Sequence, residues 1–198
     1  KQIVGVAWSG DLQSTSRYHK VCRLMGKRSN FERKPRDYYR TPIEAVAPIR
    51  SFIQEVQTFC EPCAGDGALI RSLLTMDLTC VSAFDIEPQK IGIDVLDATE
   101  IEEHHLNNAD VIVTNPPWER SILHPMIERF SDLRPTWLLF DADWVHTKQA
   151  IPFLPRLRKI VSIGRVKWFD KTAGKDNACW YLFDRYNESY NTKFYGRT

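Results

Sequence analysis

Val56-Gln57-Thr58-Phe59-Cys60-Glu61-Pro62-Cys63-Ala64-Gly65-Asp66-Gly67-Ala68-Leu69-Ile70 decides the fold class. Val56 to Cys60 is a short run rich in β-branched and aromatic residues and reads as a strand. Glu61 and Pro62 end it, since proline donates nothing to a ladder. Gly65 and Gly67 permit a tight turn and a close approach of backbone to a ligand. The apolar run from Ala68 then opens a helix with a positive N-terminal end. A lone G-x-G is weak; the strand before it and the helix after it give it weight. No G-x-x-x-x-G-K-[ST] occurs, which argues against a nucleoside triphosphate site.

Upstream, Thr41 is placed to cap a helix with Pro42 at its first position, running to about Glu55 despite Pro48. Downstream, Leu78 to Phe84 reads as a second strand ending at Asp85, about twenty residues past the glycine turn, where an acid can bind ribose hydroxyls. Ile91 to Leu96 reads as a short third strand before Asp97-Ala98, and Ile101 to Asn107 as a helical turn. Ala109 to Val113 is an apolar strand that runs into Thr114-Asn115-Pro116-Pro117-Trp118. Two prolines must end the ladder there, leaving carbonyls as fixed acceptors. Asn115 adds a side-chain acceptor and Trp118 a flat apolar face. Such a strand end suits a planar group bearing an exocyclic amine. Taken alone, the same residues fit a plain strand-ending turn with a core tryptophan.

Ser121 to Phe130 reads as a helix, Thr136 to Phe140 as a fifth strand, and Arg158 to Trp168 contains a sixth. Ala178 to Phe183 is a seventh, with Ala178, Trp180 and Leu182 on one face and Cys179, Tyr181 and Phe183 on the other. The short loop before it makes it antiparallel. Alternating strands and helices give a mostly parallel seven-stranded sheet with an antiparallel last strand and helices on both faces. The tail from Asp184 reads as a surface arm. One domain of 198 residues is expected, with a basic extension over 1–35, a catalytic core over 36–184 and an arm over 185–198.

A net charge of +2 says little about partners, but its distribution says more. Between Ser16 and Arg40 basic residues far outnumber Glu32 and Asp37, a pattern open to nucleic acid or to a solvated arm. Five cysteines make no disulfide framework, and Cys60/Cys63 lack a second pair at zinc spacing. They read as reduced small residues of a cytoplasmic protein. His104 and His105 read as surface residues, since no metal spacing surrounds them. No apolar run reaches the length of a membrane span.

The Gly65/Gly67 loop, Asp85, Asp97 and Asn115 all fall at carboxyl ends of strands, where open α/β sheets bind ligands. In this order, Y-x-T-P, E-P-x-x-G-x-G, strand-end Asp, Asp-Ala and N-P-P-W, the chain resembles the class I S-adenosylmethionine-dependent methyltransferases. Within them it is similar to DNA N6-adenine methyltransferases of bacterial and phage type. The resemblance covers Tyr38 to Phe183 and implies an enzyme of class EC 2.1.1 with S-adenosylmethionine as cofactor and no metal. It implies that Tyr39, Thr41, Glu61, Cys63, Gly65, Gly67, Asp85, Ile86, Asp97, Ala98 and Asn115 surround the cofactor. Asn115, Pro116, Pro117 and Trp118 would act on the target amine. DNA, more than RNA, is the implied partner, with Arg23, Lys27, Arg28, Lys171 and Lys175 as candidate contacts. The competing readings are an RNA base amine, a protein glutamine amide, and a cofactor-binding subunit without catalysis.

Overall fold

The computed structural model describes residues 38–168, 176–187, 189 and 191–197, all within the unit Arg33–Thr198. Arg23, Lys27, Arg28, Lys171 and Lys175 lie outside the described residues, as does the expected basic extension over 1–35.

The strands are β1 (Thr58–Glu61), β2 (Thr79–Asp85), β3 (Asp94–Val95), β4 (Val111–Thr114), β5 (Thr136–Asp141), β6 (Leu157–Arg165), β7 (Asn177–Phe183) and β8 (Lys193–Tyr195). They form one sheet in the order β3-β2-β1-β4-β5-β7-β6-β8. β7 runs antiparallel to both β5 and β6, and the other pairings are parallel. The order reverses between β1 and β4, so their carboxyl ends flank the crevice where such sheets bind ligands.

Alternation along the strands builds two cores. Ile112, Leu138, Phe140, Cys179, Tyr181 and Phe183 point to one. Val111, Val113, Trp137, Leu139, Ala178 and Trp180 point to the other. Helix α1 (Ile43–Val46), its 3-10 continuation Ala47–Phe52 and helix α2 (Ala68–Leu74) cover the second face through Val46, Ile49, Leu69 and Leu73. Helix α3 (Arg120–Leu133) covers the first through Leu123, Met126, Ile127 and Phe130. The Trp180 indole N–H donates to the Ala45 carbonyl at 2.7 Å, fastening one layer to the sheet.

Four local expectations change. The helix from Pro42 to Glu55 is only one α turn, because Pro48 brings no amide and the chain tightens into a 3-10 helix. Thr41 makes no cap; Pro42 is the N-cap residue and Thr41 is turned elsewhere. The third strand shrinks to Asp94–Val95, and Ile91 is 99% exposed rather than in the sheet. The tail is more than a surface arm: Lys193–Tyr195 pairs parallel to β6 and makes the eighth strand.

Candidate active site

A cavity of about 680 Å³ opens at the carboxyl ends of β1, β2 and β4. At its floor β1 delivers Glu61, only 2% exposed. Among the described residues Glu61 Oε2 has no hydrogen-bond partner. Burial, and then the charge of Asp85, hold this carboxyl well above the usual carboxylate range. Burial likewise pushes the Cys60 thiol up to about 12 and the Cys63 thiol higher still, so both are neutral.

The glycine loop is tied on all sides. Gly65 N–H donates to Asp85 Oδ2 at 2.8 Å, and Glu87 N–H to Asp85 Oδ1 at 2.8 Å. Each Asp85 oxygen keeps a lone pair for another donor. Asp66 Oδ1 accepts the Ala68 N–H at 2.9 Å, and Asp66 Oδ2 pairs with Arg40 at 3.1 Å and Arg71 at 3.3 Å. The first amide of α2 is therefore already satisfied by Asp66. Gly65 has φ +52°, and a Cβ there would stand 2.7 Å from Tyr38 Cε2. Only glycine admits both the turn and the tyrosine ring above it.

Asp97 begins the next wall. Its Oδ1 takes both the Thr99 N–H at 2.9 Å and the Thr99 hydroxyl at 2.7 Å, and the residue lines the cavity. At the end of β4 the Asn115 amide is oriented by unambiguous partners. Its Nδ2 donates to the Tyr39 carbonyl at 3.3 Å and the Thr41 hydroxyl at 3.2 Å. Its Oδ1 accepts the Trp118 indole N–H at 3.3 Å. A carbonyl can only accept and an indole N–H can only donate, so this network sets which way the amide faces.

No protein-family model and no curated protein matches the sequence. Solved structures do match. A candidate RNA methyltransferase from Pyrococcus horikoshii matches with a TM-score of 0.58 at 14% identity, over 85% of this chain and 98% of that one. A candidate class I S-adenosylmethionine-dependent methyltransferase from Listeria monocytogenes matches with a TM-score of 0.60 at 12% identity, over 79% of this chain and 65% of that one. The M protein of the type I restriction enzyme EcoKI matches with a TM-score of 0.50 at 11% identity, over 75% of this chain and 48% of that one.

The chain has the class I methyltransferase fold.

Within this methyltransferase fold, one cavity gathers Tyr39, Thr41, Glu61, Cys63, Gly65, Asp85, Ile86, Asp97, Ala98, Asn115 and Pro117 from the expected set. Gly67, Pro116 and Trp118 are not on its wall. Gly67 is the left-handed N-cap of α2, and Pro116 is buried. Trp118 is half-buried, packed against both cores and meeting Trp168 edge-on at 5.7 Å. Sequence reasoning missed Tyr38 over the glycine loop, Ile122 and Met126 on the inner side of α3, and Trp168. Ile122 and Met126 had a signal, an apolar i, i+4 pair just after the N-P-P-W. Among the described residues no group of three or more His, Cys, Asp or Glu could hold a metal, and no helix is long and apolar enough to cross a membrane.

Proposed function

We propose that this chain is an S-adenosylmethionine-dependent methyltransferase that acts on an exocyclic amine, with N6 of adenine in DNA as its acceptor. One observation carries the reading: a single cavity joins the Glu61–Gly65–Asp85 floor to Asn115. The residues present fit the cofactor. A buried carboxylate oxygen without a partner calls for a donor. The α-ammonium of a methionine moiety supplies one, with a charge that offsets the cost of burying the carboxylate. The spare lone pairs of Asp85 suit ribose hydroxyls, Asp97 Oδ2 suits an adenine amino group, and Ile86, Ala98 and Ile122 offer apolar surface to a ring.

S-adenosylmethionine, when bound, supplies a methyl group already activated by its sulfonium charge. The protein's part is to position and polarise the acceptor. An adenine amine is a weak nucleophile because its lone pair is delocalised into the ring. Asn115 Oδ1 and the Pro116 carbonyl accept its hydrogens and draw the lone pair back onto nitrogen. Positive charge then develops on that nitrogen, and both acceptors bind it more strongly than the ground state. A duplex base must leave its stack to reach Asn115, and Trp118 with Trp168 offers aromatic surface beside that position.

Labelled S-adenosylmethionine, offered with unmethylated DNA and RNA and followed by nucleoside analysis, tests this. Label in N6-methyldeoxyadenosine is the expected result. RNA is the second acceptor, because the Pyrococcus horikoshii protein matched over nearly its whole length is a candidate RNA methyltransferase. Cofactor binding with no label in either nucleic acid would overturn the nucleic-acid reading.

A further inference from the structure

The eighth strand ends at the edge of the sheet that carries the cleft, and a group of cations lies along that edge. β6 and β8 run parallel to each other, and both are antiparallel in sense to β7, which is antiparallel to β5. The carboxyl ends of β5, β6 and β8 therefore lie at one edge of the sheet, the edge that carries the cleft. Arg165 closes β6, Lys167 and Trp168 follow it, and Arg197 follows β8. Trp168 joins this edge to the acceptor side, since its ring lies 5.7 Å from Trp118 and 6.3 Å from Tyr39.

The seating of Arg197 is built into the backbone. β6 slips its register between Ser162 and Gly164, and Gly164 has φ +73°. A Cβ on Gly164 would meet Arg197 Nη1 at 3.1 Å and Cδ at 3.2 Å. The arginine thus lies directly across the glycine bulge. Arg165, Arg197, Ser162 and Glu44 border a small hollow of about 150 Å³ there.

Among the described residues several arginines are matched to carboxylates: Arg40 and Arg71 to Asp66, Arg129 to Glu102, Arg134 to Glu103, and Arg156 and Arg185 to Asp132. Arg165, Lys167 and Arg197 form no ion pair among the described residues, and Glu44 forms none with them. Cations without an ion pair among the described residues, at the sheet edge that carries the cleft and with Lys167 next in sequence to Trp168, complement a polyanion carrying flat rings.

We propose that Arg165, Lys167 and Arg197 form a phosphate-binding rim that holds the phosphodiester backbone of the nucleic-acid substrate next to Trp118 and Trp168. The inference rests on the nucleic-acid reading of the cleft. The rim positions the strand through its phosphates and reads no sequence.

The test is binding of a fluorescent DNA duplex, and of an RNA strand of the same sequence, across a range of salt. Each phosphate contact contributes about 0.9 to the slope of log affinity against log salt on duplex DNA. Arg165→Gln, Lys167→Gln and Arg197→Gln together should make that slope shallower by about 2–3. Arg197→Lys, which keeps the charge, should restore its share. Arg185→Gln, at the opposite end of β7, should leave the slope unchanged, and calorimetry with S-adenosylmethionine should give parental affinity in every variant. A parental slope in the triple variant overturns the rim while the acceptor reading stands. An equal loss in Arg185→Gln also overturns it, as a general charge effect. A parent protein that binds the cofactor but neither nucleic acid at any salt overturns the acceptor reading and the rim with it. The DNA and RNA arms show which backbone is held.

Discussion

Asn115 Nδ2 donates to the Thr41 hydroxyl at 3.2 Å, so the side chain at the end of β4 is oriented by a residue 74 positions earlier. Thr41→Val keeps the shape and removes the acceptor. The amide then relies on the Tyr39 carbonyl and is freer to turn. Turnover should fall about tenfold, the equivalent of about 1.4 kcal/mol, while cofactor affinity changes less. Asn115→Ala should lose more turnover still. Single-turnover rates beside calorimetry and thermal melts decide the matter. A normally folded Asn115→Ala protein with the parental rate would remove Asn115 from the chemistry.

The contact between Tyr38 and Gly65 makes a separable prediction about stability. Gly65→Ala must place a side chain at φ +52°, which costs about 1–2 kcal/mol. It must also displace the Tyr38 ring, 2.7 Å from the new Cβ. Tyr38→Ala should relieve the second cost and leave the first. A double-mutant cycle in urea should therefore show coupling of about 0.5–3 kcal/mol between the two positions. Additive effects would mean that the ring moves aside freely.

Glu61 sets a pH dependence whose sign follows from its burial. Its folded-state pKa stands above the unfolded value, so between the two the folded chain holds the extra proton. That contribution to stability is fully present below the unfolded value and is lost as pH rises toward the folded one. Glu61→Gln removes the titration. In urea unfolding of ligand-free protein from about pH 5 to about pH 8, the variant should gain on the parent as pH rises. It should also bind S-adenosylmethionine more weakly, since an amide cannot neutralise an ammonium. Parallel stability curves would show that Glu61 does not titrate in this window.

What was legible in the sequence was chemistry carried by neighbouring residues. Glu61-Pro62 through Ala68 read as strand, turn and helix because proline, glycine and a buried apolar run each restrict the backbone locally. The alternation along β7 was equally plain, and its two halves do fall in the two cores. β8 was not legible: Lys193–Tyr195 is three residues long, with Phe194 exposed, and it is a strand only because β6 pairs with it. Trp168 was passed over for a related reason. Its significance lies in contacts with Trp118 and Tyr39, which are tertiary and leave no periodic trace. Thr41 looked like a cap because its neighbour is Pro42, but the hydroxyl goes to Asn115, a partner no local pattern reveals.

Trp118 has two claims on it, and they can be told apart. Its indole N–H donates to Asn115 Oδ1 at 3.3 Å, the oxygen that a target amine would also use. Its ring packs against both cores and leans on Trp168. Trp118→Phe keeps an aromatic face and vacates the Asn115 oxygen. It should hold the target base as well as the parent does, with turnover near parental. Trp118→Ala removes the face and should weaken capture of the base by about 1–3 kcal/mol, on the scale of base–aromatic stacking. A purely structural tryptophan predicts otherwise: both variants would melt earlier, and activity would follow the folded fraction alone. Single-turnover rates divided by the folded fraction, measured at one temperature for all three proteins, separate the two. A Trp118→Ala protein as active per folded molecule as the parent would assign Trp118 to packing.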